Sequence, residues 1–236
     1  MTHYYKIAGL TVAMDSFGKT SAQAEPYLCE PTEPDIRISS APETLRTRQP
    51  HLSLESCEYL CTGASFYHQL LRFDGLMLHA SAVVLDGRAY LFSAPCGTGK
   101  STHTGLWKQV FGSRAKILND DKPALRLEEG VWYAYGTPWS GKQDISLNTR
   151  APLAGICFLH QAPENAIAPY TGTGVIHDLL AQTPRPRDPE LLVQLMRLLD
   201  RLITGIPIWQ MGCNMDPAAA IVSCEAMSGM KKEQTP

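Results

Sequence analysis

Apolar and polar positions along the chain change period several times, and each change predicts an element. Residues 4–14 (YYKIAGLTVAM) and 35–39 (DIRIS) are rich in β-branched and aromatic side chains and predict strands. Prolines at 26, 31, 34, 42 and 50 punctuate the stretches between and after them. Residues 54–72 carry Leu60, Ala64, Tyr67, Leu70 and Leu71 at near-helical spacing, which predicts an amphipathic helix that ends at the Asp74-Gly75 turn. Two apolar runs follow, 76–85 (LMLHASAVVL) and 88–93 (RAYLFS), joined by Asp86-Gly87, a dipeptide suited to a two-residue hairpin turn.

Beyond the hairpin, residues 101–111 read as a helix and 116–119 (KILN) as a short strand ending at Asp120-Asp121. Residues 131–135 (VWYAY) and 154–160 (AGICFLH) predict further strands around a Gly, Pro and Trp-rich loop at 136–142, so the sheet is expected to be mixed. Asp188-Pro189 and Asp216-Pro217 each set a capping acid before a proline at the first helical position, which predicts helices over 189–204 and 217–228. The 161–188 segment, with Thr171-Gly172-Thr173-Gly174 and prolines at 184 and 186, reads as irregular. It fits a substrate-gating loop or a variable surface connection.

A length of 236 residues suits one α/β domain with elaborations. Its expected parts are an N-terminal β layer and helix (1–75), a nucleotide-binding core (76–161) and C-terminal helices (162–236). The net charge is −2 and the 21 basic residues are scattered, so the footprint of a nucleic-acid partner is missing. No apolar run approaches the ~20 residues of a membrane span, and residues 1–10 lack a signal-type core, so a cytoplasmic protein is expected. The seven cysteines are odd in number and form no CxxC pair, as expected of free thiols.

The chemistry concentrates after the hairpin. Residues 94–101 (Ala94, Pro95, Cys96, Gly97, Thr98, Gly99, Lys100, Ser101) match the phosphate-loop pattern GxxxxGK[ST], with alanine at the first glycine position. Gly97 and Gly99 allow a nest of inward N–H groups, Lys100 would reach the β- and γ-phosphates, and Ser101 would offer its hydroxyl to Mg²⁺. Ala94, Cys96, Thr98 and Thr102 complete the expected ATP cradle at the start of a helix, whose dipole favours an anion. Cys96 is either a small filler or a reactive thiol beside Lys100. Asp120 and Asp121 stand where a metal-holding acid belongs, Asp120 as the expected Mg²⁺ ligand and the other carboxylate free to accept a proton. Both reach one site only if the strand ends there, because successive side chains on a strand point to opposite faces. His79 alone would be read as a core histidine, and His103 and Thr104 as either nucleotide contacts or helix surface.

The order of His79 in LHASAVVLDG, the loop APCGTGKSTHT and the acids of ILNDDKP resembles the HPr kinase and phosphoenolpyruvate carboxykinase superfamily. Specifically it resembles compact HPr-kinase-like proteins found beside peptide-modification systems, with GTPWSGK at 136–142, Asn148 and APLAGICFLHQ also similar. The resemblance implies the mixed-sheet fold of that superfamily and ATP with Mg²⁺ as cofactors. It implies Asp121 as the catalytic base tuned by His79, Lys100 on the phosphate, and a serine-type hydroxyl of a peptide or protein as acceptor. Lys142 and Arg150 are either charges that steady the transferring phosphoryl group or ordinary surface residues. A small-molecule kinase and an ATP-binding regulatory module stand as alternatives, and a homo-oligomer is left open.

Overall fold

The computed structural model describes residues 2–141 and 143–229, so Lys142 lies outside the described residues. The chain opens with the hairpin β1 (His3–Ile7) and β2 (Leu10–Met14), to which β3 (Ile36–Ile38) adds in parallel. The strand expected over 4–14 is thus two strands, turned at Ala8 and Gly9 with φ of 51° and 78°. Helices α1 (Gly18–Ala24) and α2 (Pro42–Arg48) occupy the proline-punctuated stretches. Helix α3 (Leu54–Leu70) follows where periodicity places it, with the Ser53 hydroxyl accepting from the Ser56 N–H.

The main sheet is built from β4 (Gly75–Met77), β5 (Ala80–Leu85), β6 (Arg88–Ser93), β7 (Ala115–Asp121), β8 (Ala124–Glu128), β9 (Val131–Tyr135), β10 (Arg150–Gln161), β11 (Ala166–Pro169) and β12 (Ile208–Cys213). Its order is β4-β8-β9-β10-β6-β5-β7, with β12 also on β10 and β11 on β12. Strand β10 is long enough to serve three neighbours: it starts antiparallel to β9 and continues parallel to β6 and β12. The fold is therefore mixed α/β around a mixed sheet. Helices α4 (Lys100–Phe111), α5 (Thr173–Ala181), α6 (Pro189–Gly205) and α7 (Ala218–Ser228) complete the described elements.

Three apolar clusters tie these layers together. On one sheet face, Leu195, Leu198, Leu199 and Leu202 of α6 and Val175 and Leu179 of α5 pack on Ala80, Ala82, Leu91 and Leu118. On the other, Leu106, Trp107 and Phe111 of α4 and Ala219, Ala220 and Cys224 of α7 cover Val83, Leu85, Tyr90 and Phe92. The third joins β1–β3 to α3 and to Trp139, which is fully buried and stacked on Phe66 at 5.0 Å between ring centroids. Each fully buried aliphatic side chain contributes about 1.5–3 kcal/mol relative to exposure. Strand β11 and helix α5 occupy part of the 161–188 segment expected to be irregular, and all seven cysteines stand free. Among the described residues, no helix is long and apolar enough to cross a membrane.

Candidate active site

Strands β6 and β7 both run antiparallel to β5, so they point the same way and finish at one edge of the sheet. The register sets Ser93, Ala80 and Asp121 in one row, with Ala80 opposite both of the others. His79 precedes Ala80, and its carbonyl accepts from the Ser93 hydroxyl at 2.8 Å. The glycine-rich loop leaves β6 at this edge, so His79, the loop and the acid pair meet through main-chain pairing of three strands.

In the loop, Gly97 and Gly99 have φ of 82° and 117°, the left-handed conformations for which glycine is suited, and α4 starts at Lys100. Ala94 is buried, and its carbonyl accepts from Lys100 Nζ at 2.9 Å, with Pro95 O at 3.3 Å. Burial lowers the Lys100 pKa, while the charges of Asp121, Cys96 and Asp120 oppose the shift. The Thr104 hydroxyl is paired with Ser81 at 2.7 Å, which ties the first turns of α4 to β5.

The pairing of β7 with β5 slips by one residue: Ala82 faces Asn119 but Val83 faces Ile117, leaving Leu118 as the extra residue of a bulge. Beyond it Asp120 lies opposite Ser81, on the face that carries α4. With an unbroken ladder Asp120 would lie opposite Ala80, on the α6 face. Asp121 closes the strand, so both carboxylates line the same cavity, as the sequence pattern requires of two adjacent acids serving one site. Asp120 is 6% exposed and its Oδ1 has no partner.

Asp121 is held from two sides. His79 Nε2 stands 3.1 Å from its Oδ1, and Lys122 Nζ pairs with its Oδ2. Burial pushes the Asp121 carboxyl up, but the His79 hydrogen bond and the Lys122 ammonium outweigh it and leave the pKa at about 2. His79 is therefore no isolated core histidine: its other nitrogen, Nδ1, lies 2.9 Å from Gln182 Oε1.

Two cavities flank the loop. One, of about 470 Å³, is lined by His79, Cys96, Lys100, Ser101, Thr102 and both acids, together with Gly141 and Gln143. The other, of about 610 Å³, lies across Gly97, Thr98, Gly99 and Thr102, against His103, residues 161–163 and residues 213–215. His103 is 2% exposed, so it belongs to the packing of α4 on α7 and not to the helix surface. Arg150 pairs with Glu128 and lies over the Tyr133 ring, and it does not line either cavity.

Several residues around the site carry no motif. Gln182 and Gln143 fall in segments with no chemical signature, and Ser81 is one serine in an apolar strand. Asn119 could have been found, because an Asn before Asp-Asp suits a side-chain turn. Its Oδ1 accepts from the Asp121 and Lys122 N–H groups at 3.2 and 2.8 Å, and its Nδ2 donates to Thr137 O at 2.9 Å. Gly141 closes over the pair so tightly that a Cβ there would lie 2.8 Å from Asp121 Cβ.

No family model matches the chain, and no curated protein matches it. Among solved structures, it is similar to the HPr(Ser) kinase/phosphatase from Coxiella burnetii, at 15% identity and a TM-score of 0.38. That likeness covers 65% of this chain and 95% of the other, and at such similarity it carries nothing about residues or activity.

Proposed function

We propose that the protein is an ATP-dependent kinase that transfers the γ-phosphoryl group to a serine-type hydroxyl of a peptide or protein. The observation that carries this reading is the meeting of Lys100, Ser101 and Asp121 in one cavity, with His79 engaged on the carboxylate. An ATP-holding regulatory module would be favoured by an Asp121 turned away from the phosphate loop or a His79 in contact with core residues only, and here Asp121 lines the cavity with His79 on its carboxylate. The larger cavity across Gly97 and Thr102 is the space for the nucleoside, and the smaller one the space where the acceptor meets the γ-phosphate.

In the reaction, the acceptor oxygen forms a bond to the γ-phosphorus as the bridging bond to the β-phosphate oxygen breaks, and ADP leaves. The hydroxyl proton passes to Asp121, which is ionised at neutral pH. Its low basicity suits a loose transition state, where the attacking hydroxyl needs little early deprotonation and positioning supplies most of the catalysis. The loop N–H groups and Lys100 hold the charge that develops on the phosphates. Asp120 and Ser101 fit a magnesium ion: the unpartnered, buried Oδ1 of Asp120 is an oxygen ligand in waiting, and Mg²⁺ takes one or two carboxylates with phosphates and water. Bound there, the ion would neutralise phosphate charge.

The test is phosphate transfer from γ-labelled ATP with Mg²⁺ to serine-containing peptides, for the protein and its Asp121→Asn variant. The expected outcome is transfer that falls about 10²–10⁴-fold in the variant while ATP affinity is kept. Transfer to a metabolite instead would reassign the acceptor, and ATP binding without transfer to any hydroxyl would favour the regulatory module.

A further inference from the structure

We infer that Gln182 is a positioning residue of this site, its side-chain amide fixing the His79 ring so that Nε2 faces Asp121. The residue follows α5, where its own N–H bonds to the Asp178 and Leu179 carbonyls, each at 3.2 Å. From there it grips residue 79 twice. Its carbonyl accepts from the His79 N–H at 2.8 Å, and its Oε1 lies 2.9 Å from His79 Nδ1. The first bond takes the His79 N–H away from the sheet, at the break between β4 and β5 in the apolar run 76–85. The second fixes the ring. An imidazole anchored at Nδ1 and aimed at a carboxylate through Nε2 has little rotational freedom about its ring axis.

An amide suits this place because it can present either polarity. With Oε1 toward the ring, Nδ1–H donates to it, and the doubly protonated ring also donates Nε2–H to Asp121. With the amide turned over, its NH₂ donates to Nδ1, and the neutral ring still keeps Nε2–H for Asp121. A leucine can do neither, and a glutamate can only accept. The side chain thus supports the contact between His79 and Asp121 whichever form the ring takes. It also links the 161–188 segment to the acid, a connection spanning 103 residues.

The catalytic consequence rests on the kinase reading, but the positioning does not. Two-bond proton–nitrogen spectra of histidine-labelled protein report which ring nitrogen carries the proton, with His79 assigned by its loss in His79→Gln. The expected spectrum has His79 carrying a proton on Nε2, the nitrogen that faces Asp121. In Gln182→Leu the main-chain bond remains, the His79 ring signals shift and broaden as the ring loses its Nδ1 anchor, and the His103 signals stay in place as proof of an intact fold. Phosphoryl transfer by Gln182→Leu is expected to fall about 10–100-fold in kcat, with KM for ATP changed less than about twofold. A His79 spectrum unchanged in Gln182→Leu overturns the inference, as does an unchanged kcat. If the wild-type protein transfers no phosphate, the kinase reading falls and the spectra alone decide the role of Gln182.

Discussion

His103 lies in α4 with Nε2 3.0 Å from Ser223 Oγ and its ring centroid 4.4 Å from that of Phe92. The Ser223 hydroxyl donates to Ala219 O at 2.9 Å and accepts from Trp107 Nε1 at 2.9 Å. It therefore takes a second proton only from an Nε2–H histidine, and Nδ1 is left buried with no partner. Protonating Nδ1 would strand a charged N–H in the core, so burial lowers the pKa from 6.5 to about 4. The unfolded chain binds the proton first as pH falls. The contribution of His103 to stability is fully present above pH 6.5 and is lost as pH falls from there through about 4. The full linkage is about 3 kcal/mol, and by about pH 4.5 about 2 kcal/mol of it should be gone. Urea unfolding of wild type and His103→Gln near pH 7 and near pH 4.5 isolates this effect from the other titrating groups. The variant should lose about 2 kcal/mol less than wild type over that interval. Equal losses in the two proteins would refute both the neutral assignment and the link between burial and acid sensitivity.

Asp120→Asn should leave the fold as stable as wild type or more so, because it removes a buried carboxylate whose Oδ1 has no partner, while the Mg²⁺ concentration needed for half-maximal turnover rises about tenfold or more. A metal titration of ATP turnover beside a thermal melt checks both halves. Gly136→Ala should prevent accumulation of folded protein, since a Cβ there would run into the Leu147 carbonyl oxygen and come within 2.8 Å of Leu118 O. Soluble yield and circular dichroism read the result.

What local chemistry decides was legible from the sequence. Asp86 and Gly87 have φ of 49° and 79°, the turn their identities predict, and Asp188 accepts from the Glu190 N–H at 2.9 Å to start α6. The strand, glycine-rich loop, helix and second strand appear in the expected order, with Asp121 and His79 brought to the loop. Non-local pairing was not legible. Strand β12, IWQMGC, has no clean alternation and exists because it pairs with β10. Strand β8 hides between the acid pair and β9, where Pro123 and Arg126 mask its pattern. Helix α5 begins with Thr, Gly, Val and Ile, poor helix formers, and is held by the burial of Val175 and Leu179. The partnership of Gln182 with His79 exists only once α5 has packed, and neither residue's neighbours in sequence announce it.

The slip at Leu118 divides β7 into two reading frames. Before it, Ala115 and Ile117 address the layer beneath α4; after it, that layer receives Asp120. Which layer an acid serves is therefore decided by how many residues precede it, not by which residues they are. Point substitutions along this strand can weaken packing or remove a charge, yet none of them can exchange the places of the two carboxylates. A single-residue insertion or deletion between the bulge and Asp120 would do so at once if the bulge were kept, whereas removing Leu118 itself would give a regular ladder with both acids still opposite Ser81 and Ala80. Spacing, more than identity, is the quantity to which the acid end of this site is most sensitive.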